Sequence, residues 1–217
     1  NASSPSYDPN LFIGGISSAD YDPMLESKHR PLVNKTVQGT YPPGSTYKMV
    51  VAMAALEEGI IGPDDTVYCP GHVDVGGRKF HCWKRAGHGS MDLENSLKQS
   101  CDVYYYDLAL KVGIEKISAI AKRFGLGIRH DLPLSSVASG LAPTKAWKRE
   151  TRGAEWVIGD TVNASIGQGF TLSSPLQLAV MTARIATNRM VTPRLIKSID
   201  GIEQPSDGGE PLGMNEN

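Results

Sequence analysis

The residues best suited to chemistry in this sequence are a serine and a lysine three positions apart. Ser45 and Lys48 lie in the stretch YPPGSTYK, where two prolines and a glycine interrupt regular structure before the serine. The apolar, alanine-rich sequence that follows favours a helix and ends at Gly59, a residue typical of helix C-caps. Ser45 is therefore predicted at a helix N-terminus, where free N–H groups and the helix dipole favour developing negative charge.

The spacing of this pair places the lysine amine on the same helical face as the hydroxyl. Lysine acts as a general base near neutral pH only where burial or positive neighbours disfavour its charged form. We therefore expect Lys48 to take the proton of Ser45 if burial or neighbouring positive charge lowers the pKa of its amine. The alternative is that Ser45 merely caps the helix and Lys48 is a solvated surface charge. Ser45 has no competitor, because no other serine is followed by lysine at the third position.

A second group of residues has the composition of a metal site. Three thiols and an imidazole are typical of a tetrahedral, structural zinc centre. The predicted imidazole ligand is His88, and His81 or His72 would be its substitute. The alternative is a Cys69–Cys82 disulfide with one free thiol, since an odd number of cysteines cannot all pair within a chain. The predicted zinc ligands are Cys69, Cys82, His88 and Cys101.

Length and charge limit the classes of function. The 217 residues suffice for one substantial core, and the net charge of −1 argues against nucleic-acid binding. A short basic cluster is interpreted as a solvated loop. The sequence has no run of about 18 apolar residues, so no transmembrane segment is predicted. The basic cluster consists of Arg78, Lys79, Lys84 and Arg85.

Periodicity and breakers predict a chain of helices and loops with few strands. Residues 1–44 are expected to be irregular, with a short extended piece at Leu11–Ile13, and turns are expected at 62–65, 71–77 and 131–161. Residues 202–217 are interpreted as a flexible connector without core-forming residues. The three tryptophans, Trp83, Trp147 and Trp156, are assigned to packing before any peptide groove. Helices are predicted at 46–58, 93–99, 101–111, 114–124 and 175–188.

Four segments together resemble a known family. They occur in the expected order and extend the likeness from about residue 5 to about residue 197 of the sequence. The family is the transpeptidase domain of class B penicillin-binding proteins, and the resemblance is closest to the cell-elongation subfamily, penicillin-binding protein 2. It implies an α+β fold, with helices packed on a central antiparallel sheet and the nucleophile opening a helix beside it. The segments are PSYDPNLF (5–12), YPPGSTYK (41–48), SLKQSCDVYYYDLA (96–109) and VNASIGQGFTLSSPLQLA (162–179).

The resemblance assigns roles to four residues. It makes Ser45 the acylated nucleophile and Lys48 its general base. The second family motif, Ser-x-Asn, falls on Ser100-Cys101-Asp102, with Asp in place of Asn as in penicillin-binding protein 2. Ser100 would relay a proton between Lys48 and the leaving amine, and Asp102 would hold Lys48 or the substrate amide.

The third motif of the family, Lys-Thr-Gly or Lys-Ser-Gly, does not occur in the sequence. We therefore expect residues 1–217 to be one transpeptidase domain that is truncated at both ends, with an incomplete sheet. Loss of an oxyanion donor in acyl-transfer enzymes costs about 3–4 kcal/mol. The chain alone is accordingly expected to be inactive or barely active toward penicillin.

The function implied by the resemblance is that of a serine D,D-transpeptidase. Such an enzyme cross-links peptidoglycan stem peptides through an acyl-enzyme and is inhibited by β-lactam antibiotics. Expected partners are a membrane glycosyltransferase and cell-elongation proteins, at a periplasmic location with an inner-membrane anchor outside this sequence. The resemblance also supports zinc, because some penicillin-binding protein 2 sequences carry Asp, His and Cys ligands at equivalent positions. The alternatives are a β-lactam hydrolase or sensor, and a non-catalytic, zinc-stabilised scaffold of a cell-wall assembly.

Overall fold

The computed structural model describes residues 2–205 and 208–214. Within these ranges the chain forms helices and short strands in the following order. The helices are α1 (Ser18–Glu26), α2 (Lys48–Glu57), α3 (Leu93–Lys98), α4 (Asp102–Val112), α5 (Ile114–Arg123), α6 (Lys145–Arg152), α7 (Ile158–Ser165) and α8 (Pro175–Thr187). The strands are β1 (Val67–Cys69), β2 (His72–Val75), β3 (Arg78–His81), β4 (Gly89–Met91), β5 (Ser198–Ile199) and β6 (Ile202–Glu203).

Helices α2 and α4 form the centre of the core. Small side chains such as Ala54 and Ala55 of α2 are fully buried, which lets its backbone approach α4 closely. Helix α4 contributes Tyr104, Tyr105 and Leu108, all fully buried. Helices α5 and α7 pack against this pair. Because α2 and α4 are held on several sides, their N-terminal ends have fixed positions relative to each other.

The strands pair only two by two. Strand β1 is antiparallel to β4, β2 to β3, and β5 to β6. The α+β class is confirmed, and the central sheet was expected to be incomplete: within residues 2–205 and 208–214 these pairs do not join into one sheet. The turn expected over 71–77 is in fact strand β2 followed by the Gly76-Gly77 hairpin turn, because Val73 and Val75 alternate with polar residues and pair with β3.

The helices predicted from periodicity are confirmed at α3, α4, α5 and α8, with ends shifted by one residue at most. Helix α8 begins at Pro175 behind a capping box in which Ser174 accepts from the Gln177 N–H. The helix predicted over 46–58 begins later than expected. Residues Gly44–Tyr47 form a 3₁₀ turn, and α2 begins at Lys48. Gly59 ends α2 as predicted, with φ +64° and its N–H bonded to the Leu56 carbonyl.

Several segments expected to be irregular are helical. In the piece Leu11–Ile13, only Ile13 is extended, because Asp8 caps a 3₁₀ helix at Pro9–Phe12. Helix α1 also lies within residues 1–44, which were expected to be irregular. The turn region 131–161 contains α6 and the start of α7. Helix α6 is defined by its caps: the Thr144 hydroxyl accepts from the Trp147 N–H, and Gly153 closes the other end in a left-handed conformation.

The last described segment contributes to the core. Residues 202–217 were expected to lack core-forming residues, but Leu212 is only 6% exposed and belongs to the main apolar cluster. The Arg123 guanidinium also donates to the Leu212 carbonyl at 2.8 Å. The connector residues 206–207 and 215–217 lie outside the described part of the chain.

Candidate active site and cysteine cluster

The turn that carries Ser45 is fixed by backbone contacts on both sides. Tyr41 forms a reciprocal pair of backbone hydrogen bonds with Ser173, at 2.9 Å each. The Gly44 N–H then donates to the Gly167 carbonyl at 3.0 Å. A Cβ atom at Gly167 would collide with the Gly44 carbonyl, so only glycine permits this approach. Ser45 is left exposed at the start of the helical segment.

A chain of hydrogen bonds joins the four residues singled out from the sequence. The Lys48 ammonium donates to the Ser100 hydroxyl at 2.9 Å, to the Ser100 carbonyl at 2.8 Å and to Asp102 Oδ1 at 2.6 Å. The Ser100 hydroxyl lies 2.8 Å from Ser45 Oγ and donates to it. Lys48 is 1% exposed, so the alternative in which it is a solvated surface charge is wrong.

The direct Ser45–Lys48 contact expected from their spacing is replaced by this relay. Among the hydrogen bonds of the described residues, none joins Lys48 to Ser45, and all three Lys48 protons have acceptors elsewhere. A buried ammonium must satisfy its donors and gains most from a carboxylate. Helix α2 therefore directs Lys48 toward Asp102, and Ser100 occupies the position between amine and nucleophile.

Ser100 lies in a turn with unusual backbone geometry. It has φ +51°, in the left-handed region that residues with a Cβ rarely adopt. The turn connects α3 to α4 and is closed by the Cys101 N–H, which donates to the Ser96 carbonyl at 2.9 Å. Asp102 is the first residue of α4, where a carboxylate is favoured by the helix dipole. Strain of this kind is common where side chains are held for function.

Trp83 touches the same turn, a contact that the sequence did not indicate. Its backbone N–H donates to Asp102 Oδ2 at 2.9 Å. Its indole N–H reaches the Gln99 and Ser100 carbonyls, both at 3.1 Å. Asp102 therefore receives Lys48 on one oxygen and Trp83 on the other.

The four predicted zinc ligands lie together beside this turn. The sulfur atoms of Cys69, Cys82 and Cys101 and a ring nitrogen of His88 all lie within 4.8 Å of one another. His88 Nδ1 is 3.7 Å from Cys69 Sγ and 3.5 Å from Cys82 Sγ. The three thiols are free, so the alternative Cys69–Cys82 disulfide is not formed.

The protonation preferences of this cluster have simple causes. Burial raises the pKa of the Cys101 thiol to about 12. Burial also lowers the pKa of His88, with a further contribution from Lys84, and so favours a neutral imidazole. Neutral imidazole is the form that binds metals. A metal that bound here would displace the thiol protons.

The histidines considered as substitute ligands lie elsewhere. His72 and His81 face each other across the β2–β3 pair, with ring centroids 5.9 Å apart, and neither belongs to the four-residue cluster. The basic residues of this region are exposed, as expected for solvated charges, although two of them lie on strand β3 and not in a loop.

The comparison with protein families identifies the chain's family. Residues 1–212 match the family model described as the penicillin binding protein transpeptidase domain. The chain belongs to this family. It is similar to the peptidoglycan D,D-transpeptidase MrdA of Haemophilus influenzae, with 40% identity over 202 residues, which are 92% of this chain and 31% of that protein.

Solved structures give the same answer. The crystal structure of Pseudomonas aeruginosa PBP2 in complex with WCK 5153 superposes with a TM-score of 0.89 at 42% identity, covering 96% of this chain and 46% of that one. The complex of Helicobacter pylori PBP2 with MreC gives a TM-score of 0.87 at 35% identity, covering 94% of this chain and 38% of that one. The chain thus spans about a third of the length of the curated relative and less than half of these structures. Within the described residues, no helix combines the length and hydrophobicity needed to cross a membrane.

Proposed function

We propose that this chain carries the acylation site of a serine D,D-transpeptidase that cross-links peptidoglycan stem peptides. The observation that carries the proposal is the relay from Lys48 Nζ through Ser100 Oγ to Ser45 Oγ. Family membership and the likeness to proteins named peptidoglycan D,D-transpeptidase support the same assignment. An isolated surface pair would have neither the buried amine nor the intervening hydroxyl.

In the proposed first step, Ser45 Oγ attacks the carbonyl between the two terminal D-alanines of a stem peptide. Its proton passes to Ser100 and the Ser100 proton passes to Lys48, which must first release one proton of the ammonium that pairs with Asp102. Hydroxyl protons rotate freely, so the same chain of atoms carries a proton in either direction. The backbone N–H of Ser45 lies at the start of the 3₁₀ turn, where N–H groups have no partner within the turn. It helps to hold the tetrahedral oxyanion.

In the second step the carbon–nitrogen bond breaks and D-alanine leaves. The leaving amine receives the proton through Ser100, so the relay returns to its starting state. The amine of a neighbouring stem peptide then attacks the acyl-enzyme, which forms the cross-link and regenerates Ser45. A β-lactam would acylate the same hydroxyl, but its opened ring stays attached and is not released.

The test is release of D-alanine from a pentapeptide stem substrate by the intact natural protein. We expect Ser45→Ala to abolish release. Ser139→Ala is the matched control, because among the described residues its exposed hydroxyl hydrogen-bonds only to the neighbouring Gly140 carbonyl, and it should retain the parental rate. Release by Ser45→Ala at the parental rate would refute the assignment. Rapid hydrolysis of a chromogenic cephalosporin by the parent would favour a β-lactam hydrolase instead.

We also propose a structural zinc ion held by Cys69, Cys82, Cys101 and His88. Ligand bonds of about 2.3 Å to sulfur and 2.0 Å to nitrogen place S and N roughly 3.5 Å apart in a tetrahedral site. The His88–sulfur distances of 3.7 and 3.5 Å are close to this value. Four protein ligands leave no position for a reactive water, so a stabilising role fits best. Cys101 is the middle residue of Ser-Cys-Asp, so a bound ion would tie the Ser100 turn to strand β1 through Cys69 and to the loop between β3 and β4 through Cys82 and His88.

Metal analysis tests the zinc proposal independently of activity. We expect one zinc per purified chain and loss of that zinc in Cys82→Ser. His81→Ala, which removes a nearby histidine outside the cluster, should retain the metal. Purified protein that holds no zinc after incubation with it, or His81→Ala that loses it, would contradict the proposed ligand set.

Partners and location are proposed from the same family relationship. MreC is bound to PBP2 in the Helicobacter pylori complex. By analogy, we expect the whole protein to contact cell-elongation proteins and a membrane glycosyltransferase. It would act in the periplasm, held at the inner membrane.

A further inference from the structure

The side chain of Trp83 has no part in the proton relay proposed above. It is nevertheless hydrogen-bonded to the turn that carries Ser100, the middle residue of that relay. Trp83 is 63% exposed, so burial of its ring does not explain its position. Its indole N–H lies 3.1 Å from the carbonyl oxygens of both Gln99 and Ser100. Its main-chain N–H lies 2.9 Å from Asp102 Oδ2. Trp83 thus hydrogen-bonds to Ser100, which carries the relay hydroxyl, and to a residue on each side of it in sequence, Gln99 and Asp102.

The Ser100 turn requires such contacts. With φ +51° Ser100 has a conformation that a residue with a Cβ keeps only when its surroundings hold it. The Ser100 carbonyl accepts from Lys48 at 2.8 Å as well as from Trp83. Rotation of this peptide group would turn the Ser100 carbonyl away from the Lys48 ammonium and from the Trp83 indole at the same time.

We propose that Trp83 is a positioning residue for acylation, whose indole N–H fixes the Ser100 turn so that Ser100 Oγ stays between Lys48 Nζ and Ser45 Oγ. This inference rests on the proposed function, because the relay transfers a proton only if Ser45 is acylated. Trp83 acts through Ser100 and not on the substrate. Its loss should therefore affect the rate of acylation and leave the initial binding of a ligand unchanged.

The test compares Trp83→Phe with the parent in the intact natural protein. Phenylalanine keeps an aromatic ring and removes the N–H donor. Trp147→Phe is the matched control, because the Trp147 ring packs at a tilt against Phe170 and its indole N–H makes no hydrogen bond with the described residues. Stopped-flow acylation by benzylpenicillin separates the dissociation constant of the first complex from the acylation rate constant. We expect the rate constant to fall about tenfold in Trp83→Phe only, with the dissociation constant unchanged.

A second measurement does not depend on acylation. The indole N–H signal of Trp83 is assigned by its loss from the NMR spectrum of Trp83→Phe, and its exchange with deuterium is then followed. Despite the exposed ring, we expect exchange to be about tenfold slower than in free tryptophan, because the N–H is bonded. Exchange at the free rate, an unchanged acylation rate, or a change in the dissociation constant alone would each overturn the proposal. If the parent is not acylated at Ser45, the proposed function fails, whereas the exchange rate still decides whether Trp83 holds the turn.

Discussion

At the scale of single residues, Lys48 carries the greatest electrostatic cost in the site. It is an ammonium with 1% exposure, and its counter-ion Asp102 is also mostly buried. Two buried charges are stable together only when their remaining hydrogen-bonding groups are satisfied. Here Ser100 satisfies Lys48 and the Trp83 N–H satisfies Asp102. Removal of one partner should therefore cost far more than loss of a surface ion pair.

We expect Asp102→Ala to lower the free energy of unfolding by about 3–5 kcal/mol, because it leaves the Lys48 charge buried and unpaired. Asp102→Asn should lose less, since its amide oxygen still accepts from Lys48. Lys116→Ala is the control: it breaks an exposed pair with Glu58 and should cost about 1 kcal/mol or less. Urea denaturation measures all three. Equal losses for Asp102→Ala and Lys116→Ala would contradict the buried pair.

The sequence located these residues but not all of their contacts. S-x-x-K spacing placed Ser45 and Lys48 near each other, and the resemblance to known transpeptidases added Ser100 and Asp102. The relay through Ser100 could not be read from spacing, because the direction of a flexible lysine depends on acceptors 52 and 54 positions away in sequence. The Trp83 contact was missed for the same reason, since no local pattern marks an indole N–H that bonds a distant turn.

At the scale of secondary-structure elements, the site depends on a glycine-to-glycine contact beneath the nucleophile. The 3₁₀ turn Gly44–Tyr47 is joined to the loop after α7 through the Gly44 N–H and the Gly167 carbonyl. Gly167 has φ +68° in addition to the close approach. The position of Ser45 should therefore respond to substitution of a residue far from it in sequence.

We expect Gly167→Ala to slow acylation of Ser45 and to lower stability, because the new Cβ would displace the Gly44 backbone. Gly153→Ala is the matched control: Gly153 has φ +61° but open space around it. In the control, the free energy of unfolding should fall by only about 1 kcal/mol, the cost of a left-handed conformation for alanine. Gly167→Ala should lose a further 1–3 kcal/mol, roughly, through overpacking. Thermal denaturation and penicillin acylation rates provide the measurements, and equal effects of the two variants would refute the contact.

Prediction of the elements succeeded where periodicity was strong. Helix α5 has isoleucines at helical spacing on one buried face, so its bounds were found almost to the residue. Helix α6 and the start of α7 were missed because Pro133 and Pro143 suggested turns over the whole of 131–161, while their caps at Thr144 and Val157 are visible only once the backbone is known. The short strands were missed because two to four residues carry too little alternation to be recognised.

At the scale of the whole molecule, one core joins the site to the last described segment. Arg123 links them, because its guanidinium pairs with Glu57 of α2 and donates to the Leu212 carbonyl. The segment was predicted to be a connector because of its Gly, Pro and Asp content. That composition gave no sign that its single leucine, Leu212, packs inward. The segment should therefore contribute to global stability.

We expect Leu212→Ala to lower the free energy of unfolding by about 2 kcal/mol or more, as for other buried leucines. Ile202→Ala is the control, because Ile202 lies in the same segment and is 71% exposed. It should change stability by about 0.5 kcal/mol at most. If both variants unfold at the same denaturant concentration, Leu212 does not pack in the core in solution.

The central claim is that Ser45 forms an acyl-enzyme through the relay from Lys48. Its most direct test is to react the intact natural protein with benzylpenicillin, digest it, and map the adduct by mass spectrometry. The account predicts a single penicilloyl group on Ser45, which is lost in Ser45→Ala and forms far more slowly in Ser100→Ala. An adduct on another residue, or an adduct that forms equally fast without the Ser100 hydroxyl, would contradict it.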